Sequence, residues 1–252
     1  MNKFFGLLLV GAVLVLTSCE TTKEITFNPD GSGTMVTTTD MSGLIALAKM
    51  SGQGKELEKD DKAIDTTIAL DKLVDSIPEL NDEQRNLAKK GRLGLNISLA
   101  DEKMMTKLHF PFSNASEISK LDELSAKVME QTMKKQMGGD ADSASPIPAD
   151  ALPKASMDDY FTMTYGKGLI ERKIIAEKYA KVDDDKGMQS LKEMASEGMP
   201  MNTTLIFNLP KPAKKVEGKN AKLSEDKKKV TIVSSADDFF DDVAKMEFRI
   251  EY

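Results

Sequence analysis

The strongest constraint on this chain is a series of segments in which apolar and polar residues alternate with period two. Leu93, Leu95, Ile97 and Leu99 are separated by Gly94, Asn96 and Ser98, and Leu108, Phe110 and Phe112 alternate with Lys107, His109 and Pro111. Phe161, Met163 and Tyr165 alternate with threonines, Leu205, Phe207 and Leu209 repeat the pattern, and Met246, Phe248, Ile250 and Tyr252 carry it to the last residue. Successive side chains of a strand point to opposite faces, so each segment reads as a strand with one buried face. The last of them is regular enough to be expected inside a sheet.

Helical periodicity lies between these strands. Over Ser116–Gln136, Ile118, Leu121, Leu124, Val128 and Thr132 recur at steps of three and four, and the remainder is rich in Glu and Lys. Asn114 or Ser116 can cap its start. Shorter helices are predicted at Met41–Met50, Ala69–Ile77, Asp82–Lys90 and Asp184–Ser196, with Gly91 just past the end of the Asp82 helix. A hairpin followed by a helix thus recurs three times: Ile25–Thr39 with Met41–Met50, Leu93–Phe112 with Ser116–Gln136, and Phe161–Tyr179 with Asp184–Ser196. Three further strands close the chain. The expected class is α+β, a mostly antiparallel sheet built from hairpin–helix units with helices packed on one face.

Two stretches break the pattern. Gly138–Met157 is rich in small residues, Pro and Asp and lacks the apolar content to bury itself. It reads as a flexible insertion within one domain spanning 19–252, in preference to a linker between halves, because the hairpin–helix pattern resumes beyond it. Ser51–Asp61 is a second, shorter polar break.

The first residues have a different logic. Met1-Asn2-Lys3 is a short positive region, Phe4–Leu16 is apolar apart from two glycines, and Glu20–Glu24 is polar. Such a run falls short of the roughly 18–20 residues that span a hydrocarbon core, and it reads as the apolar part of an export signal over residues 1–18. Leu16-Thr17-Ser18-Cys19 resembles the lipobox of bacterial lipoproteins. That resemblance implies that the Cys19 thiol receives a diacylglyceryl group and that cleavage makes Cys19 the first mature residue. The alternative is a lone Cys beside an ordinary secretory cleavage site. Cys19 is the one cysteine in the sequence, so no disulfide can form within the chain, and an uncapped thiol would be a liability in an oxidising compartment. Two or more acyl chains give stable attachment. The expected partner is therefore a membrane reached through the lipid on Cys19, in the cell envelope, with the outer membrane favoured over the inner.

Composition removes other functions. A net charge of −6 and a pI near 5.1 argue against nucleic acid, which needs a concentrated basic surface. Trp is absent and aromatic residues make up only 6%, which weakens a carbohydrate-stacking surface. Sixteen methionines serve as fillers of irregular cores or as adaptable binding surfaces, with core packing favoured.

The remaining constellations have plain readings beside their chemical ones. Asn28-Pro29-Asp30-Gly31-Ser32-Gly33 has the alternate oxygens of a calcium loop, but the position that should hold a bidentate Glu is Thr39. Asp-Gly between two strand-like runs is a hairpin signal instead. Asp183-Asp184-Asp185 precedes a helix, whose dipole favours carboxylates there. Asp237-Asp238-Phe239-Phe240-Asp241-Asp242 reads as a polar turn whose two Phe plug the core, with cation binding as the alternative. His109, the single His, alternates with Leu108 and Phe110 and should face away from them. A Ser-His-Asp triad could form only around His109, and neither a thiol nucleophile nor a His- or Cys-rich zinc site can be assembled. Gly166-Lys167-Gly168 reads as a turn and not as a phosphate cradle. A carboxylate-pair hydrolase stays open, since 41 acidic residues hide any pair. No catalytic residue, cofactor or metal site is assigned.

Asp30–Gly33 followed by a Thr-rich strand, and Leu209-Pro210 followed by a short hairpin and a final strand, are similar to the LppM type of lipoprotein. The resemblance implies an α+β domain held at a membrane surface, with lipid or glycolipid binding in some members. The expected function is that of a membrane-anchored envelope lipoprotein. It would act as a binding or assembly module and not as an enzyme, with a sheet or helix face contacting another envelope protein. The alternatives are a lipid- or glycolipid-binding domain with a Met- and Leu-lined cavity under the sheet and, more distantly, the carboxylate hydrolase.

Overall fold

The computed structural model describes residues 19–43, 45, 49, 63–77, 80–137, 156–196 and 201–252. The export signal over 1–18, the polar break at 51–61 and residues 138–155 of the expected insertion lie outside them, as does much of the helix expected over 41–50. The architecture is α+β with two mostly antiparallel sheets, where the sequence suggested one.

The larger sheet has eight strands in the order β10-β11-β8-β1-β2-β5-β4-β3. They are β1 (Cys19–Phe27), β2 (Gly33–Asp40), β3 (Ile64–Ala69), β4 (Arg92–Ser98), β5 (Lys103–Phe112), β8 (Met201–Asn208), β10 (Ala221–Leu223) and β11 (Lys229–Ser235). Among the described residues the one parallel pair is β1 with β8, in register from Cys19↔Met201 to Thr26↔Asn208. The smaller sheet runs β6-β7-β12-β9, from β6 (Phe161–Gly166), β7 (Leu169–Ile174), β12 (Phe248–Glu251) and β9 (Lys215–Glu217). The terminal alternation does pair within a sheet, between β7 and β9.

The helices whose full range is described are α1 (Asp82–Ala88), α2 (Ile118–Met137), α3 (Ala176–Tyr179), α4 (Lys186–Ser196) and α5 (Ala236–Asp241). Asn114 provides the cap at the start of α2, accepting from the Ser116 amide ahead of a short 3-10 turn. Asp185 caps α4 through the amides of Gly187 and Met188.

Several expectations need correction. Ile25–Thr39 is the middle of a longer hairpin, because β1 starts at Cys19. The helix expected over Ala69–Ile77 is two 3-10 turns, Leu70–Lys72 and Val74–Ser76, preceded by the unanticipated β3. Their apolar residues Leu70, Val74 and Ile77 are spaced for one face, but each turn stops after three residues once those side chains are buried. Gly91 lies three residues past α1, and its role is packing: a Cβ there would meet the Phe110 ring at 2.4 Å. Among the described residues five strands follow α4, not three, because β9 and β10 are too short to leave a periodic trace.

The buried residues of the large sheet share one face: Ile25 and Phe27, Met35, Leu108 and Phe110, Leu93 and Leu95, Leu205 and Phe207, Val230 and Ile232. Ile118, Leu121, Leu124 and Val128 of α2 join this core, with Ile170, Phe248 and Ile250 of the small sheet. The described side chains under the sheet thus form one apolar cluster. Met188 and Leu191 of α4 and Phe239 of α5 belong to a second cluster, with Tyr160 and Phe161.

Candidate functional site

β1 places an uncommon residue on the core-facing side of the large sheet. Lys23 is in phase with Ile25 and Phe27, so its side chain enters the space between the sheet, α2 and the small sheet. There its Nζ lies 2.9 Å from Asp122 Oδ1 of α2 and 3.7 Å from Asp158 Oδ2. Asp158 belongs to the 3-10 turn that leads into β6, and its Oδ1 accepts from Arg172 Nη2 at 2.9 Å. Arg172, on β7, is 2% exposed and stacks over Phe161 at 3.9 Å from the ring centre. The result is an alternating chain of two cations and two carboxylates at the seam between the two apolar clusters.

The titration of these groups follows from their surroundings. Burial pushes the Asp122 carboxyl up, and that outweighs the pull of Lys23. Partial desolvation works to raise Asp158, whose side chain is still half exposed, but Lys23 and Arg172 outweigh it and hold the carboxyl below the usual range. Burial alone would lower Lys23, whereas Asp122 and Asp158 hold it above the usual lysine value. Burial, followed by the charges of Asp122 and Asp158, pushes the Tyr165 hydroxyl well up.

Tyr165 links this seam to a cleft of about 890 Å³ at one end of the molecule. Three turns converge there: the β1–β2 hairpin at Asn28–Gly31, the β5–α2 junction at Asn114–Ser116, and the β6–β7 turn at Gly166–Gly168. Pro210, Lys211, Lys214 and the last residues of β12 complete the rim. The walls are mixed, with Phe27, Leu169 and Tyr252 beside Lys167, Arg249 and Glu251. Gly168, at φ +73°, brings its turn so close to the last residue that a Cβ would meet Tyr252 O at 2.6 Å. The Tyr252 amide donates to Gly168 O at 3.0 Å.

Cys19 and the cleft occupy opposite ends of β1. Eight residue steps separate Cys19 from Phe27, or about 26 Å of strand. The Cys19 backbone pairs with Met201 and Glu20 pairs with Asp40, so the strand is held in the sheet from its first residue.

The other residues singled out in the sequence take structural places. Asp30 accepts from the Ser32 amide and hydroxyl inside the hairpin, and Gly31 adopts φ +87°. His109 lies on the open face of β5, opposite Val36 and Arg92, while Leu108 and Phe110 are buried. The Asp237–Asp242 segment is a helix, α5, where a turn was expected, because Ser235 and Asp238 form a capping box that nucleates it. Phe239 is wholly buried and Phe240 only partly, so one ring plugs the core instead of two. Among the described residues no group of three or more His, Cys, Asp or Glu is placed to hold a metal ion.

Lys23, Asp122, Asp158 and Arg172 were not picked out from the sequence. A signal for two of them was there: Lys23 sits in phase with Ile25 and Phe27, and Arg172 with Ile170 and Ile174. A charge in an inward phase asks for a buried partner.

No family model matches the sequence, and no curated protein matches it. In a comparison of folds the chain is similar to the folded domain of LppM from Mycobacterium tuberculosis, solved by NMR, with 10% identity and a TM-score of 0.36 over 93% of this chain and 90% of that one.

Proposed function

We propose that this chain is an envelope lipoprotein, anchored through a lipid on Cys19, that works as a binding module and receives its partner in the cleft between the β1–β2, β5–α2 and β6–β7 turns. One observation carries the reading: the cleft lies at the far end of the central strand from Cys19. A lipid on Cys19 would hold one end of the large sheet against a bilayer and leave the cleft facing away from it. No spacer separates Cys19 from the paired strand, so the attachment gives the domain little freedom to turn over. The sequence Leu16-Thr17-Ser18-Cys19 supports the lipid, and among the described residues no helix is long and apolar enough to cross a membrane.

Binding is favoured over carboxylate catalysis because Asp122 and Asp158, the shifted carboxylates of the seam, are committed to Lys23 and Arg172. A general acid and base need room for a substrate between them. Here that room is occupied by the Lys23 ammonium.

The experiment has two parts. Metabolic labelling with a fatty acid should mark the wild type and leave Cys19→Ser unlabelled and released from the membrane fraction. A photo-crosslinking residue at Lys211 or Lys167, in intact cells, should capture one reproducible partner that a crosslinker on the open face at Thr38 does not. Membrane attachment that persists in Cys19→Ser, or identical capture from both faces, would refute the proposal.

A further inference from the structure

Building on the proposed role of the cleft, we infer the chemical class of its ligand: a small anion, with a phosphate or carboxylate group carried on a ring or short apolar stem. Most of the charges around the cleft are already committed. Of its carboxylates, Asp30 is pinned by the Ser32 amide at 3.0 Å and hydroxyl at 2.7 Å, and Glu251 accepts from Arg249 Nε at 2.9 Å. Arg249 is further held by Glu171 at 2.8 Å. Lys214 donates to a main-chain oxygen of Tyr252, the last residue of the sequence, at 3.3 Å. Lys167 and Lys211 are exposed residues that line the cleft, and neither has an ion-pair or hydrogen-bond partner among the described residues.

The whole chain carries a net charge of −6, but the stretch 211–229 is rich in lysine, and Lys167 and Lys211 bring two uncommitted cations to the cleft beside it. An anion is drawn to such a cleft. The apolar half of the requirement comes from the part-exposed Leu169 and Pro210, backed by the buried rings of Phe27 and Tyr252, tilted at 6.1 Å. That wall accepts a ring or a few methylenes. A cleft of about 890 Å³ falls within the size range of small-molecule sites. The bilayer that would hold Cys19 is about 26 Å away along β1, so its headgroups are not the ligand. The anion is either a free solute or the end group of a molecule displayed on a facing surface.

Phenyl phosphate and benzoate are suitable probes, with benzyl alcohol and benzylamine as neutral and cationic controls. In an NMR titration of the isotope-labelled protein, the anions should shift the amides of Gly31, Gly168 and Tyr252, and the controls should not. Lys167→Glu with Lys211→Glu should weaken phenyl phosphate by at least about tenfold, whereas Lys167→Arg with Lys211→Arg should retain it. Both lysines are exposed, and an unchanged thermal midpoint would verify that the variants fold. Response of phenyl phosphate but not of vesicles containing phosphatidylglycerol identifies a soluble source, and response of both identifies a displayed one. Shifts outside the cleft, equal binding of benzylamine, or vesicle binding without phenyl phosphate binding would overturn the inference. If a partner crosslinks at the cleft while phenyl phosphate leaves it unmoved, the ligand class is wrong and the binding-module reading stands. Anion binding together with Cys19-independent attachment would be the reverse.

Discussion

Lys23 Nζ lies 2.9 Å from Asp122 Oδ1, and through this contact the central strand of the large sheet is bound to the long helix above it. The pair is mostly enclosed, with 15% of the lysine side chain and 24% of the aspartate exposed. Taking two charges from water is costly, and their attraction recovers that cost only when both are present. Replacing Lys23 by Met should therefore destabilise the fold by about 2 kcal/mol, between the values for exposed pairs and for fully buried ones. Lys23→Met combined with Asp122→Leu should recover most of that loss. Urea denaturation of the three proteins measures both quantities, and a double variant no better than Lys23→Met would show that packing and not charge holds the seam.

Asp122 and Asp158 should pull stability in opposite directions as the pH changes. Asp158 titrates below its ordinary value near 3.8, so the unfolded state takes up its proton first and stability falls as the pH drops through that lower range. Asp122 titrates above 3.8, so between that value and its raised one the folded state binds the extra proton and stability falls as the pH rises. Asp158→Asn should flatten the acid limb of the stability profile. Asp122→Asn should remove the decline above it. Urea midpoints taken in small steps from acid to neutral pH check this, and variants that change the same limb would contradict the assignment.

Thr37, opposite Lys23 in the β1–β2 register, has a buried hydroxyl with no hydrogen-bond partner among the described residues. Val has nearly the same shape and no polar atom to desolvate. Thr37→Val should leave the protein as stable or stabilise it by about 1 kcal/mol. A clear loss in thermal midpoint would mean that the hydroxyl is bonded in solution.

Much of the fold was legible because burial on one face of a strand writes itself as period two. β4, β5, β6 and β8 each leave at least three apolar residues in phase, β12 does so with its flanking Met246 and Tyr252, and α2 leaves Ile118, Leu121, Leu124 and Val128 at helical spacing. β9 and β10 span three residues each and are too short for any period to register. The division into two sheets was hidden for another reason. Alternation reports that a strand has a buried face, and it carries no information on which neighbour the edge pairs with, so the parallel union of β1 with β8 left no trace. The seam was half legible, through Lys23 and Arg172 in apolar phase. Their partners were not, because Asp122 lies on a helix rich in charges and Asp158 in a short turn. The cleft was invisible, since it is formed by loops that meet only once both sheets are in place.

Phe239 should be the most sensitive position of the second cluster. Its ring lies 5.4 Å from Tyr160, 5.4 Å from Tyr179 and 5.0 Å from Phe240, each close to perpendicular, and 6.2 Å from Phe161. Its carbonyl accepts from the Tyr179 hydroxyl at 2.7 Å, so α5 is joined to α3 by backbone as well as by side chain. Phe239→Ala removes the shared ring and opens a cavity that four aromatic side chains cannot close without leaving their rotamers, a loss of about 3–5 kcal/mol. Phe240→Ala, at a partly exposed ring, should cost much less, about 1 kcal/mol. Because Phe161 also carries the stacked Arg172 guanidinium, collapse of the cluster should reach the seam. In Phe239→Ala the pH dependence assigned to Asp158 should weaken, whereas in Phe240→Ala it should persist. Equal losses in the two variants would indicate a loosely packed cluster with no central residue.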